Sequence, residues 1–479
     1  MSILLVHLLF LSIGMLSLYV LRSEKYIGIA YILISFISLL FSFYIASNGS
    51  SLINVDIKLI EIIGGINIAF SLDYIGIIFL LLSSFLWLMI SIFSDRYLTL
   101  NKYNNKSKFY IFFTLSMLST YAIIYSSNLL TTFIFYEILT LSTYPLVTFK
   151  NDSKSLKKGK IYLYYLLGTS IIFFLPAIIA THIITGSLTY TYGGIFPTTD
   201  STVISLILIL FLFGIGKSAI MPFHKWLPSA MVAPTPVSAL LHAVAVVKSG
   251  VFILIKVCLY IFGVDALTNS GADNIIITFA SITIILSSII ALQQDNIKLR
   301  LAYSTIGQLS YIVLATGILA SYSIVAAILH LVFHALGKVI LFLSAGVITT
   351  QTGIKNVSGM NNLASKLPIT CFMIVIGSFI MVGLPPTIGF ISKWYLISGI
   401  IDSGMSYLLI VIVISTLLNA GYYFPMIYKS YFISDTISDR SSNDEDTRLI
   451  FPILIIAITS IVLFFNTDLF IIFINRYII

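Results

Sequence analysis

Apolar stretches of about 18 to 25 residues follow one another from end to end of this chain, each long enough to cross a hydrocarbon layer of roughly 30 Å as a helix. No water-soluble domain of 479 residues is 59% hydrophobic and 9% charged at a mean hydropathy of +1.06, so lipid must be the solvent. The stretches read as spans at residues 2–21, 26–47, 74–94, 109–126, 129–149, 161–182, 202–220, 237–262, 275–292, 301–317, 322–345, 368–399, 405–427 and 449–475. They describe an all-α integral membrane protein of about 14 transmembrane helices. The first span lacks a basic start and is too long for a secretory h-region, so it is expected to be mature structure with no appended soluble domain.

With the N-terminus outside, 19 of the 26 Lys and Arg fall in loops on the inner side and two, Lys58 and Arg476, on the outer side. That asymmetry predicts both termini on the outer face of a bacterial-type plasma (inner) membrane. The net charge of +8 does not cluster on one exposed face, which excludes nucleic acid as a partner. Residues 150–160, KNDSKSLKKGK, read as a solvated loop that sets topology and meets anionic lipid. Cys258 and Cys371 lie inside apolar spans without a C-x-x-C pair, so neither an iron–sulfur cluster nor a zinc ribbon is expected, and no other cofactor site is visible.

Five basic residues remain inside the membrane, Lys217, Lys248, Lys256, Lys338 and Lys393, together with one mid-span acid, Glu137. A charge at the centre of a helix in lipid costs about 2.5 to 3.5 kcal/mol on insertion scales, so such residues face the bundle interior and mark an ion pathway. Two segments are interrupted by proline, each beside a buried lysine: 217–236, with Pro222, Pro228, Pro234 and Pro236, and 383–394, with Pro385 and Pro386. Proline removes a backbone donor and frees carbonyls inside the protein. The breaks fall five spans apart, in helices 7 and 12, which suggests two inverted five-helix repeats, helices 4–8 (109–262) and 9–13 (275–427). Residues 1–108 then hold helices 1–3, and 428–479 a cytoplasmic loop and helix 14.

Glu137 and Lys217 are expected to pair, each lowering the cost of the other's burial; a static structural ion pair is the competing reading. Lys217 also sits in GIGKS, yet position 211, where a phosphate-binding loop needs its first glycine, is Phe211, and no strand precedes it. His242 and Lys248 are six residues apart, about 240° of helix, and are expected to reach different neighbours, linked only through water. His330, His334 and Lys338 are spaced i, i+4, i+8, each step turning only about 40° and rising about 6 Å, so they form one stripe able to pass a proton in hops. A metal bound by the two histidines lacks a nearby carboxylate or thiolate. Lys393 could release a proton outward or snorkel, Lys256 reads as a snorkelling lysine near the outer boundary, and His7 and His182 as packing residues.

The segments FYEILTLSTYPLV, PFHKWLPSAMVAPTPVSALLHA, IKLRLAYSTIGQLSYIVLATG and HLVFHALGKVILFLSAG closely resemble the antiporter-like subunits shared by respiratory complex I, the multisubunit Mrp sodium/proton antiporters and membrane-bound hydrogenases. The likeness covers nearly the whole chain and is greatest to the D-type antiporter subunit. It implies a fourteen-helix fold with a hydrophilic axis in the membrane plane, on which Glu137, Lys217, Lys248, His330, His334, Lys338 and Lys393 match family positions. Helix 12 carries lysine in some members and glutamate in others, and Lys393 follows the former; His242 and Lys248 combine features of different branches. With the sequence ending soon after its last span, the long lateral helix of the largest complex I relative is not expected.

The reading is therefore a subunit that relays protons, with or without sodium, along a buried Glu/Lys/His axis, with other membrane subunits and the bilayer as partners. The alternative is a membrane subunit of a complex I-like NADH-quinone oxidoreductase or hydrogenase, and a third reading is a degenerate scaffold. In none of these does the chain hold a redox or hydrolytic site of its own.

Overall fold

The computed structural model describes residues 2–21, 24–53, 55–63, 66–197, 200–433 and 445–478. Its helices are α1 (Ile3–Val20), α2 (Glu24–Ser47), α3 (Tyr74–Leu100), α4 (Lys106–Tyr125), α5 (Leu129–Val147), α6 (Ser153–Thr185), α7 (Ser201–Gly214), α8 (Thr235–Phe262), α9 (Asp273–Gln293), α10 (Ile297–Ile318), α11 (Ser321–Thr352), α12 (Pro368–Val382), α13 (Ile388–Asp402), α14 (Leu408–Phe432), α15 (Thr447–Phe465) and α16 (Thr467–Tyr477). Among the described residues, 12 helices are long and apolar enough to cross a membrane. Where fourteen full spans are expected from sequence, α7 and α12 are shorter apolar helices, and each ends at one of the two proline-containing breaks. The expected last span divides at Asn466 into α15 and α16.

Apolar side chains make up most of the interior as well as the lipid-facing surface. Lipid offers no hydrogen bonds, so polar side chains collect on helices that never meet it, while the outermost helices are apolar. Accordingly α8 and α11 are buried on every side and α10 nearly so, whereas α1, α2, α14 and α15 expose rows of large hydrophobics such as Leu9, Ile13, Leu33, Leu417 and Phe465. All the histidines and lysines assigned to the relay from α8 onwards lie on buried positions.

Three local outcomes differ from the sequence reading. Residues 150–160 are mostly helix: Asp152 caps Ser155 N at 2.6 Å in a reciprocal box with the Ser155 hydroxyl, and α6 runs from Ser153. A side-chain cap outweighs the tract's polarity, since a solvated helix needs no apolar face there. Between α2 and α3 stands an antiparallel hairpin, β1 (Ile57–Ile63) with β2 (Ile66–Phe70), in a region read as loop. Its signal was Ile-rich alternation around Gly64–Gly65, a link outside the described residues, as are Arg22 and Arg440 of the loop-charge reading and residues 434–444 of the loop before α15. Of the prolines, Pro222 lies in the first break, Pro228 within the short helix Trp226–Ser229, and Pro385 and Pro386 in the second break. Pro234 and Pro236 instead open α8, where a missing donor costs nothing.

The start of α15 is clamped twice. Arg96 Nη2 pairs with Asp446 Oδ2 at 2.6 Å, tying α15 to α3, and the Glu445 carboxylate accepts from Ile369 N at 2.6 Å and Thr370 N at 3.0 Å. A carboxylate at the first turn of α12 also complements that helix's dipole.

The first break is held against α8 by a glycine. A Cβ on Gly250 would lie 2.4 Å from the carbonyl carbon of Lys217, a backbone atom that cannot swing aside. Gly250→Ala should therefore destabilise the protein by about 1–3 kcal/mol, seen as a lower unfolding midpoint in detergent; an unchanged midpoint would mean that α8 does not press on the break.

Candidate functional site

Helix α7 ends at Gly214, and the chain continues through a single 3-10 turn, Gly216–Ser218, into Ala219 at φ +59°. Trp226 Nε1 donates to Gly216 O at 2.9 Å and pins the turn. This geometry aims Lys217 at α5: its Nζ donates to Tyr136 O at 2.7 Å and Thr140 Oγ1 at 2.6 Å, and stands 3.0 Å from the Tyr136 ring centre. The expected direct Glu137–Lys217 pair is not formed. Glu137 is one residue, about 100°, further round α5; it is half-buried, faces Ser170, and its Oε1 has no hydrogen-bond partner. The two still interact electrostatically across that distance.

On α8, a π-helical turn at Leu240–Val244 and a distorted Ala245 precede Lys248. Such turns shift register and recur at functional positions. Lys248 Nζ meets His334 Nδ1 on α11 directly, at 2.8 Å. Donation to Nδ1 leaves the ring proton on Nε2, which has no partner. His242 is fully buried with neither ring nitrogen bonded, its ring 4.7 Å from that of Phe342.

The stripe on α11 fans out to three different neighbours. His330, 6.1 Å from His334 between ring centres, places Nε2 3.1 Å from Gln308 Oε1 on α10 and Nδ1 2.9 Å from Ser392 Oγ on α13. Ser392 adjoins Lys393, whose Nζ donates to Val382 O at 2.7 Å and Thr416 Oγ1 at 3.1 Å. Lys338 turns towards α10 and α14, donating to Leu301 O at 3.0 Å, Ser304 Oγ at 2.6 Å and Tyr423 OH at 3.1 Å. The structure thus joins Lys248, His334, His330 and Lys393 in one file, with Lys338 and His242 beside it and Lys217 and Glu137 at the far flank of α8. Lys393 is 6% exposed and does not snorkel.

Lys256 is a correction. Only 2% exposed, it pairs with Asp73 Oδ2 at 2.7 Å, donates to Ser126 O at 3.2 Å and lies 4.0 Å from the Tyr190 ring centre. A carboxylate within reach removes the reason to extend further towards water. His7 is buried between Tyr125 OH and Ser38 Oγ, both at 2.9 Å, as a packing residue would be, and His182 is half-buried with Nδ1 unpartnered. Sequence reasoning missed Gln308, Ser392, Tyr136, Ser304 and Tyr423; a mid-span amide such as Gln308 was the available signal.

Residues 126–419 match the family described as NADH:quinone oxidoreductase/Mrp antiporter, TM. The chain belongs to this family. It is a multi-pass integral membrane protein. It is 32% identical over 357 residues to NADH-quinone oxidoreductase subunit N of Desulforudis audaxviator (strain MP104C), a match covering 74% of this chain and 70% of that one. To a Staphylococcus saprophyticus protein named as antiporter subunit mnhA2 it is 29% identical over 439 residues, covering 85% of this chain and 54% of the relative; the chain spans about half the length of such relatives. In fold it is similar to a chain of the archaeal membrane-bound sulfane sulfur reductase (TM-score 0.86, 21% identity, 99% and 97% of the two chains) and to one of the Mrp complex from Dietzia sp. DQ12-45-1b (TM-score 0.84, 17%, 99% and 96%).

The Lys256–Asp73 pair makes a separable prediction. Asp73→Asn strands a buried ammonium and should cost about 3–5 kcal/mol, whereas Asp73→Asn with Lys256→Met should recover most of it. Thermal unfolding of the three proteins checks this, and equal destabilisation by the single and double changes would contradict it.

Proposed function

We propose that the chain is a proton-translocating, antiporter-like membrane subunit of a multisubunit complex, of the monovalent cation/proton antiporter D type. Protons, with sodium as the possible counter-ion, would move along Lys217, Lys248, His334, His330 and Lys393, with Glu137 modulating Lys217 and with Lys338 and His242 storing charge beside the file. The observation that carries this reading is Lys248 on His334 at 2.8 Å, next to buried ring and amide nitrogens of His242, His334 and Gln308 that lack partners. Buried polar atoms in an apolar medium need hydrogen bonds, and water threaded past these three would complete a path from α8 to α13.

The five-helix blocks 109–262 and 275–427 are proposed as inverted repeats, since α7 and α12 both stop short and each leads by a break to a buried lysine, Lys217 or Lys393. Both termini are proposed to face outward from a bacterial-type plasma membrane, following the loop charges. A complex I-like, redox-driven assembly is the second reading, favoured by the subunit N relative.

Proteoliposomes containing the purified parent complex test both, with interior pH followed under a sodium gradient and no electron donor. Sodium-dependent proton movement that falls at least about tenfold in Lys248→Ala and in His334→Ala supports the antiporter. Flux only after reductant and quinone are supplied assigns the redox-driven complex, and undiminished flux in both variants rejects the relay.

A further inference from the structure

At the end of the molecule where the loops before α6, α8 and α10 meet, a basin of about 800 Å³ opens beside the axis. Five lysines stand around it, Lys150, Lys154, Lys158, Lys298 and Lys355, against one acid, Asp152. That acid is already engaged: its carboxylate caps Ser155 N at 2.6 Å. Among the described residues none of the five lysines is in an ion pair, and only Lys298 is held by a protein acceptor, Ala233 O at 2.6 Å. Although Lys150 is exposed, partial desolvation pulls its ammonium below the ordinary lysine range, with Lys355 and Lys154 adding to the shift and Asp152 opposing it.

Like charges on long, flexible side chains normally splay apart into water. Here the backbone gathers them, because Lys150, Lys154 and Lys158 flank the capped start of α6, Lys298 lies in the first turn of α10, and Lys355 follows α11. The starts of α6, α8 and α10 border the same space, so three sets of helix N–H dipoles add to its positive potential. The wall includes Met231, Val232 and Leu299, apolar side chains that a fully hydrated basin would not need. Size, charge and apolar edge together describe a receptor for a multiply bonding anion.

We propose that this basin binds a phosphate-bearing anion, with Lys150, Lys154 and Lys355 as its principal ligands. The chemistry is shared by an anionic phospholipid headgroup and by free phosphate. The site does not depend on the transport reading, since occupancy is a binding property.

The test uses the full-length protein in phosphatidylcholine nanodiscs, titrated with phosphatidylglycerol in one arm and inorganic phosphate in the other, with retained lipid and unfolding midpoint as readouts. Saturable binding of one probe is expected. Binding should weaken at least about tenfold in Lys150→Gln/Lys154→Gln/Lys355→Gln, and change by less than about twofold in the charge-matched set Lys102→Gln/Lys106→Gln/Lys108→Gln. The arm that binds identifies the source. The charge-retaining set Lys150→Arg/Lys154→Arg/Lys355→Arg should bind as the unaltered protein does, and its failure would overturn a charge-built site. Equal weakening in the two glutamine sets, or no saturable binding of either probe, would overturn the proposal as well.

Discussion

An ammonium group brings three donors, and in hydrocarbon each must be met from within the protein. The way this chain meets them organises its interior. Lys217 and Lys338 use the same device in two places: a helix carbonyl together with a hydroxyl within one turn of it, Tyr136 O with Thr140 Oγ1 and Leu301 O with Ser304 Oγ. Lys393 and Lys256 use another, docking on carbonyls at helix ends, Val382 O where α12 stops and Ser126 O just beyond α4. Those ends carry the negative pole of the helix dipole, so a cation there is stabilised twice.

Lys248 follows neither pattern. Among the described residues its one hydrogen-bond partner is an imidazole nitrogen, a base rather than a fixed dipole, and two of its donors meet no acceptor there. The proton between Lys248 and His334 is therefore the one most loosely committed to a single atom. The breaks, glycine contacts and caps around it hold a geometry in which that ambiguity persists.

Sequence alone disclosed twelve of the expected spans, the two breaks and the five lysines, because an ionisable residue in a long apolar run contrasts sharply with its surroundings. It did not disclose partners. Asp73 stands just before the span 74–94, and its reach to Lys256 depends on how α3 packs against α8, a long-range fact. Glu137 and Lys217 looked like a pair because opposite charges attract, yet Tyr136 and Thr140 take the ammonium, since the turn at Gly216 fixes where Lys217 points. The six-position separation of His242 and Lys248 implied a helical angle that the π-helical turn then changed. The solvated start of α6 went unseen because amphipathic signals vanish where a helix leaves both lipid and core.

The shortness of α7 reaches beyond the resting structure. Fourteen residues give a rod of about 21 Å, well under the roughly 30 Å of a bilayer core. Such a segment gains too little from lipid to insert stably alone during synthesis, and the break after it exposes backbone that lipid cannot satisfy. It must be received by α6, against which it packs, while the turn beyond it seats on α8, so the pocket around Lys217 closes in the same event that admits the helix to the membrane. Biogenesis and site assembly are, for this part of the chain, a single step.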